Sequence, residues 1–343
     1  MTWKYSDEYA AAAALLKSNS ATPGSAEQKA MSDLALLMEA EGPNPARVNA
    51  LNAFHQACAE DEAAHILKLA GTGLAKAKVA GALKGLRHLH LLSKFGGSDV
   101  WMISTPRSYR AWPIEEVGTL ADGALTTRLK DTTEYHTSTE MRNAQSAAQK
   151  AIAWAQKACL ASLANAGVAG DQGETLITRW FADEDHRTTA KMAGLRARLA
   201  AGFLKIASAA ASGRMILGDN PKMRGTDSEN DEAFVFVGGE KLNMVYIEGA
   251  FFNENNVLKG VKNWARILVH ELSHLKLDTK DIKLPGDADA RYAWHPRGIR
   301  PRKASFTTAH AIDNAENWAF FAADAAGELT EFERNVALKP QVE

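Results

Sequence analysis

Apolar residues in the first 94 positions recur at intervals of three and four, which is the periodicity of helices that bury one face. One such stripe consists of Val48, Leu51, Phe54 and Cys58. This stripe predicts a helix from about Pro45 to Gly71, and the same periodicity predicts a further helix over residues 74–92. We therefore expect the chain to begin with a small helical bundle.

The hydrophobic pattern changes period in the second half of the chain. A helical stripe comes first, formed by Met192, Leu195, Leu199, Phe203 and Ile206. Two stretches rich in β-branched and aromatic residues follow at 233–239 and 242–252, and they predict two neighbouring strands. A long helix is then predicted over residues 257–277. The expected fold class is α+β, mostly helical, with a small β-sheet.

The least apolar window of the chain, residues 126–146, lies between these two regions and predicts a domain boundary. We expect a helical N-terminal domain over residues 1–130 and a second domain over residues 131–343.

Composition narrows the classes of function. The net charge is −1 and the pI is about 6.8, so the protein has no overall field that would attract nucleic acid or an anionic membrane. The N-terminus carries no secretory signal, and no apolar run reaches the roughly 18 residues that a membrane span requires. These features predict synthesis in the cytoplasm without a Sec signal, with Cys58 and Cys159 as free thiols.

The candidate chemistry lies near the end of the predicted 257–277 helix, in the sequence HELSH at residues 270–274. Residues four apart on a helix stand one turn above each other, so His270 and His274 present two imidazoles to one point. Two such nitrogens are zinc ligands in HExxH proteases, and Glu271 is placed to act as the general base toward a water at the metal. The motif therefore predicts one catalytic Zn²⁺ ion.

Segments around this motif resemble the aspzincins, zinc endopeptidases that include deuterolysin and the fungal lysine-specific metalloendopeptidases. In that family a GTxDxxY segment follows the HExxH helix, and it resembles DTKD at 278–281, with Asp278 in place of the glycine. The sequence IDNAENWAFFA at 312–322 is similar to the family's NADxxxYF helix. The resemblance covers about residues 140–330, and it implies a zincin-like catalytic domain with a small sheet beside the zinc helix.

The resemblance implies that Asp281, which matches the family's ligand aspartate, is the third zinc ligand. An uninterrupted DxxY would place a tyrosine at position 284, where leucine stands, so the chain carries an insertion before Tyr292. Either Asp281 binds zinc and Tyr292 approaches after the insertion to stabilise the oxyanion, or the ligand is Asp289, which also lies three residues before Tyr292. The TxD context and the short distance from the second histidine favour Asp281.

The resemblance also suggests how a substrate is bound. Lysine-preferring members carry two acidic groups in the specificity pocket; Glu316 occupies the first of these positions, and Ala319 occupies the second. The comparison implies that Glu316 is a substrate-binding residue whose carboxylate attracts a cationic side chain. By analogy with other zincins, the segment LNMVYIEG at 242–249 is the strand that holds an extended substrate.

The function that the resemblance implies is a zinc-dependent endopeptidase acting on protein or peptide substrates. Three alternative hypotheses remain for residues 1–130. In the first, they are a propeptide, and its removal activates a zymogen. In the second, they are the delivery module of a bacterial effector or toxin protease that a specialised secretion system exports; such a protein would have a cognate inhibitor or a secretion-system partner. In the third, they are the scaffold of a non-catalytic protein that binds zinc for structure.

Overall fold

The computed structural model describes residues 3–19, 26–37, 45–91, 100–163, 171–211, 213–254 and 257–339. Within these ranges the protein is mostly helical with a small sheet, as the hydrophobic pattern predicts. The chain divides into two compact units, residues 1–145 with 212–250 and residues 146–211 with 251–343. Because 212–250 groups with the first unit, the units do not follow the order of the predicted domains. The domain boundary near residue 130 stays a prediction.

The first unit begins with helices that pack around a shared apolar core. They are α1 (Tyr5–Ser18), α2 (Ala26–Leu37), α3 (Pro45–Ala57), α4 (Glu62–Ala70) and α5 (Lys76–Arg87). Leu51 and Phe54 are buried there, as their stripe predicts. The single helix expected from Pro45 to Gly71 is wrong, because Asp61 accepts a hydrogen bond from the Ala64 amide and thereby caps a new helix.

The sheet of the first unit has the strand order β1-β2-β3-β5-β4. Its strands are β1 (Leu89–Leu91), β2 (Trp101–Ile103), β3 (Met215–Gly218), β4 (Ala233–Phe234) and β5 (Asn243–Ile247), and the short helices α6 (Pro113–Val117) and α7 (Asp122–Leu129) follow β2. β2, β3 and β5 are parallel, whereas β1 and β4 are antiparallel edge strands. The predicted pair of neighbouring strands is confirmed as β4 and β5. The helix predicted over 74–92 gives way to β1 at Leu89, and residue 92 lies outside the described residues.

β5 is an interior strand of the sheet, and it lies within the segment 242–249 that is predicted to hold an extended substrate. β3 pairs along Asn243–Tyr246, and β4 pairs on the other side at Tyr246 and Ile247. A strand that is already paired on both sides has no main-chain groups free for a substrate. That 242–249 holds an extended substrate stays a prediction; within it, Tyr246 is the residue that is paired on both sides.

The first unit joins segments that are distant in sequence. Trp101 of β2 pairs with Ile216 of β3, and its indole nitrogen donates to the Gly213 carbonyl oxygen at 3.0 Å. The buried Arg224 donates to the carbonyl oxygens of Pro106 at 2.8 Å and Tyr109 at 3.0 Å. Residues on both sides of position 130 therefore complete the same sheet and its polar network.

The second unit is helical in its described residues. Its helices are α8 (Ser138–Leu163), whose first residues are counted with the first unit, α9 (Gln172–Trp180), α10 (Thr189–Ala211), α11 (Val261–Leu277), α12 (Thr308–Asp313), α13 (Ala315–Ala325) and α14 (Glu331–Leu338). α11 begins four residues later than predicted and packs against α10 and α13. Phe203 of α10, from the predicted stripe, lies 4.9 Å from the ring of Trp318.

Two general expectations can be compared with the described residues. Cys58 and Cys159 are free thiols, as predicted. None of the described helices combines the length and the apolar character that crossing a bilayer demands.

Candidate metal centre

The HELSH sequence lies in the last turns of α11, and helix geometry brings its two histidines together. The Nε2 atoms of His270 and His274 are 3.1 Å apart, and both side chains are buried. His274 Nδ1 donates to the Thr279 carbonyl oxygen at 2.7 Å, and His270 Nδ1 donates to Glu316 Oε2 at 3.1 Å. Each oxygen accepts a hydrogen bond from Nδ1 of its histidine and so fixes the orientation of that ring. The two Nε2 atoms are thereby directed at one common point.

Asp281 completes a set of three ligand atoms. Its Oδ1 lies 3.1 Å from His270 Nε2, and its Oδ2 lies 3.6 Å from His274 Nε2. Zinc held tetrahedrally by bonds of about 2.0–2.1 Å keeps its ligand atoms about 3.3–3.4 Å apart. The observed separations fit one such ion held by these three residues. Of the two alternatives that the sequence leaves open, Asp281 is the aspartate whose carboxylate lies at these distances from the imidazoles.

The carboxylates of the site differ in their electrostatics. Burial raises the pKa of Glu271 to about 7, with the charge of Asp281 adding to the shift and the two histidines opposing it. Burial also acts to raise the pKa of Asp281, but hydrogen bonds with His270 and His274 outweigh it and hold that pKa well below its usual range. Ligand atoms of Glu271 and both histidines lie within 4.8 Å of one another. A cation among the ligands would thus have Glu271 beside it.

The end of α11 sets the position of Asp281. The helix stops at Asp278, whose φ of 59° lies in the left-handed region. Thr279 follows, and its hydroxyl lies 2.7 Å from that of Ser273. Lys280 then connects to the start of α13, since its carbonyl oxygen accepts from the Ala315 amide at 3.0 Å. The candidate third ligand, Asp281, is therefore held in position both by the end of α11 and by the start of α13.

The insertion after Asp281 folds back on itself and returns Tyr292 to the site. The Arg291 amide donates to the Ile282 carbonyl oxygen at 2.7 Å, which closes the inserted loop. The Tyr292 ring lies 5.9 Å from that of His270, with the two ring planes 25° apart. Burial, followed by the charge of Asp281, raises the pKa of Tyr292, so the phenol keeps its proton. A phenol that keeps its proton can donate a hydrogen bond beside His270.

Glu316 does not occupy the place that the resemblance implies. Its side chain is 0% exposed and pairs with the guanidinium of Arg266 at 3.0 Å. The same oxygen accepts from His270, and the other accepts from the Ala293 amide at 3.3 Å. A carboxylate engaged in this way is not open to a substrate cation. The assignment of Glu316 as a substrate-binding residue is therefore replaced by a role in positioning His270.

Comparison with known families agrees with this geometry. The aspzincin family, described as lysine-specific metallo-endopeptidase, matches residues 166–323, a range that contains the whole cluster. Residues 166–323 carry the sequence pattern of the aspzincin family. The aspzincins are zinc-dependent metalloendopeptidases, which agrees with the ligand set found here. No curated protein matches the chain.

Sequence reasoning gave no role to two residues, Arg266 and Asn314, that organise the site. Arg266 lies one turn before His270 on α11, so its position on the buried face was a signal of contact with the site. Asn314 begins the stretch that resembles the family's NADxxxYF helix, but the resemblance gave it no role. Its side-chain nitrogen donates to the Arg291 carbonyl oxygen at 3.0 Å, and its oxygen accepts from the Ile282 amide at 3.2 Å. These two bonds tie both ends of the insertion to α13.

The conformation of Asp278 leads to a first prediction. Glycine adopts the left-handed conformation without a Cβ penalty, and a carboxylate at a helix C-terminus opposes the helix dipole. We expect Asp278→Gly to stabilise the protein by about 0.5–1 kcal/mol, measured as a higher midpoint of urea unfolding. Asp278→Ala removes the charge but keeps the Cβ, so it separates the two effects. A lower midpoint for the glycine variant would contradict this account.

Proposed function

We propose that the protein is a zinc-dependent endopeptidase whose catalytic centre is formed by His270, Glu271, His274, Asp281 and Tyr292. The observation that carries the proposal is the convergence of two Nε2 atoms and one carboxylate at 3.1–3.6 Å, with a further carboxylate beside them. Three protein ligands with an open position are typical of catalytic zinc sites. A zincin-like fold of the catalytic domain is part of the proposal.

Each residue of the cluster has a chemical task. His270, His274 and Asp281 would hold Zn²⁺, which when bound acts as a Lewis acid toward a carbonyl and makes a water more acidic. Glu271 takes the proton from the water that attacks the peptide carbonyl and later gives it to the leaving amine. The Tyr292 hydroxyl donates a hydrogen bond to the developing oxyanion. Glu316 and the Thr279 carbonyl oxygen keep the imidazoles in orientation.

Zinc content and proteolysis of the full chain test the proposal together. We expect about one zinc per chain by elemental analysis and cleavage of casein that a chelator abolishes and added Zn²⁺ restores. Purified protein that contains zinc and cleaves neither casein nor any peptide of a complex mixture would refute the endopeptidase.

The rival hypothesis is a non-catalytic protein that uses zinc for structure. A structural zinc site has four protein ligands and no open position. Among the residues that the structure describes, no cysteine or third histidine joins the group. The donor set therefore supports the catalytic hypothesis, and the proteolysis assay decides between the two.

The ion pairs within the inserted loop between Asp281 and Tyr292 lead to a second prediction. The Asp287 carboxylate is fully buried and pairs with the guanidinium groups of Arg291 and Arg297. Asp287→Asn leaves both cations without their counter-charge and loosens the loop that positions Tyr292. We expect kcat/KM for casein peptides to fall by about 10- to 100-fold, since an oxyanion donor contributes about 100-fold or more, while zinc content stays the same. Asp289→Asn, an exposed change in the same loop, is the control; equal activity of the two variants would contradict the role of the network.

The sheet bears on the hypothesis that residues 1–130 are a removable propeptide. A chain that starts at residue 131 lacks β2, so β3 has lost its neighbour, and Arg224 has lost the carbonyl oxygens that it binds. An unpaired strand edge is costly, and so is a buried guanidinium that has lost hydrogen-bond acceptors, even though Asp219 still pairs with Arg224. We expect this truncated chain to be insoluble or unfolded by circular dichroism. A soluble truncated chain with raised proteolysis would instead favour a zymogen.

The effector or toxin role, the export route and the cognate inhibitor stay predictions from the sequence. They would be tested by detecting the protein outside producing cells and by isolating a protein that binds it and blocks casein cleavage.

A further inference from the structure

The site differs from a pocket that binds a lysine side chain, because the charge of its acidic residue, Glu316, is already balanced by an arginine. Glu316 is fully buried, and its charge is balanced by Arg266, whose side chain is 1% exposed. Ala319, which is also buried, supplies no second carboxylate. A substrate ammonium group entering here would meet a closed ion pair and not a free anion. A cationic side chain thus gains nothing from this part of the site.

An aromatic surface lies beside the same group. Trp294 is 46% exposed. Its ring stacks on that of Tyr292, with centroids 4.5 Å apart and planes 11° apart. Tyr292 in turn stacks against His270. The exposed indole is therefore two ring contacts away from a zinc ligand.

The indole is held in place and not merely exposed. The Ala293 amide, between Tyr292 and Trp294, donates to Glu316 Oε1 at 3.3 Å. The Arg266 guanidinium lies 5.9 Å from the centre of the Trp294 ring, within range of a cation–π interaction. A rigid aromatic ring loses little entropy when an apolar group packs on it. The surface is thus preorganised for an apolar side chain.

We propose that Trp294 forms a subsite for a large apolar side chain of the substrate next to the scissile bond, and that the Arg266–Glu316 pair withdraws the cationic preference. The inference rests on the proposed endopeptidase function and defines its substrate class as peptides with leucine, phenylalanine or similar residues at that position. Trp294 is a specificity-determining residue, and Arg266 is a positioning residue that acts through Glu316.

Cleavage of a complex peptide mixture by the zinc-loaded full chain, followed by mass spectrometry, tests the subsite. We expect large apolar residues to be enriched at one position beside the cleaved bond, without enrichment of lysine. Trp294→Ala should lower kcat/KM for a peptide with leucine or phenylalanine there by about 10- to 100-fold, as lost apolar pocket contacts do. Trp294→Phe should keep most of the preference. Phe332→Ala, which removes a 74% exposed ring from α14, is the matched control.

Peptide binding to a catalytically inactive variant tests the Trp294 subsite without relying on cleavage. The Glu271→Gln chain is titrated with three peptides that differ only in leucine, phenylalanine or lysine at that position, and Trp emission is followed. We expect tighter binding of the apolar peptides and an emission change that disappears in Glu271→Gln with Trp294→Phe. Equal or tighter binding of the lysine peptide, or an unchanged cleavage profile in Trp294→Ala, would overturn the subsite. Absence of all cleavage with apolar-selective binding would count against the endopeptidase and leave the subsite standing.

Discussion

Glu271→Gln is expected to fold and to bind zinc like the wild type, but to lose proteolysis by about 100- to 10,000-fold, which is the usual contribution of a general base. The amide has the shape of the carboxylate and keeps its hydrogen-bonding capacity, yet it cannot accept a proton from water. Glu271 lies beside the ligand atoms of His270 and His274. The loss should therefore fall on kcat and not on metal content.

Three measurements on the same preparation check this expectation: zinc per chain, the far-ultraviolet circular dichroism spectrum and the rate of casein cleavage. Glu331→Gln, the same chemical change at an exposed position of α14, is the control and should keep full activity. Undiminished cleavage by Glu271→Gln would remove Glu271 from the mechanism. Loss of zinc together with activity would show that the glutamate is needed to form the site.

The part of the site that the sequence predicts well is the part whose geometry is local. His270 and His274 are one turn apart on a strongly amphipathic helix, so their meeting follows from helix geometry alone. Asp281 follows within a few residues of the helix end, and Asp278 adopts the left-handed conformation at the position where aspzincins carry glycine. Short distances along the chain leave little freedom for these groups to lie elsewhere.

The rest of the site depends on contacts between residues that are distant in sequence. The spacing of apolar residues along the chain does not predict such contacts. The return of Tyr292 after the insertion rests on the buried Asp287 and its pairing with Arg291. The place of Glu316 depends on Arg266, fifty positions earlier in the chain. The family pattern implied that the Glu316 carboxylate lies in a pocket open to substrate. The buried guanidinium of Arg266 pairs with that carboxylate instead, so a cationic substrate side chain cannot bind it.

The sheet was predicted only in part for a different reason. β2 and β3 are three and four residues long, fully buried and parallel. Buried parallel strands lack the alternation of apolar and polar residues that marks a half-exposed strand. Only β4 and β5 lie in stretches long and aromatic enough to stand out. The association of β2 with β3 joins segments more than a hundred residues apart, and no local signal carries that information.

Asp281→Ala is expected to lower zinc affinity by more than about 100-fold, because even partners of zinc ligands contribute about 10- to 100-fold. The change removes the one anionic ligand and leaves two imidazoles that hold the ion alone. Casein cleavage should be lost at zinc concentrations that saturate the wild type. Competition with a chromogenic chelator measures the affinity directly.

The control for Asp281→Ala is Asp289→Ala, since both aspartates stand three residues before a position that a DxxY pattern can use. The two ideas give opposite results: with Asp281 as ligand, Asp289→Ala keeps zinc and activity, and with Asp289 as ligand the pattern reverses. The Asp281 side chain is 39% exposed, so its loss opens no buried cavity, and the fold should survive the substitution. Retained zinc in Asp281→Ala would therefore mean that the third ligand is a different residue, and not that the protein has failed to fold.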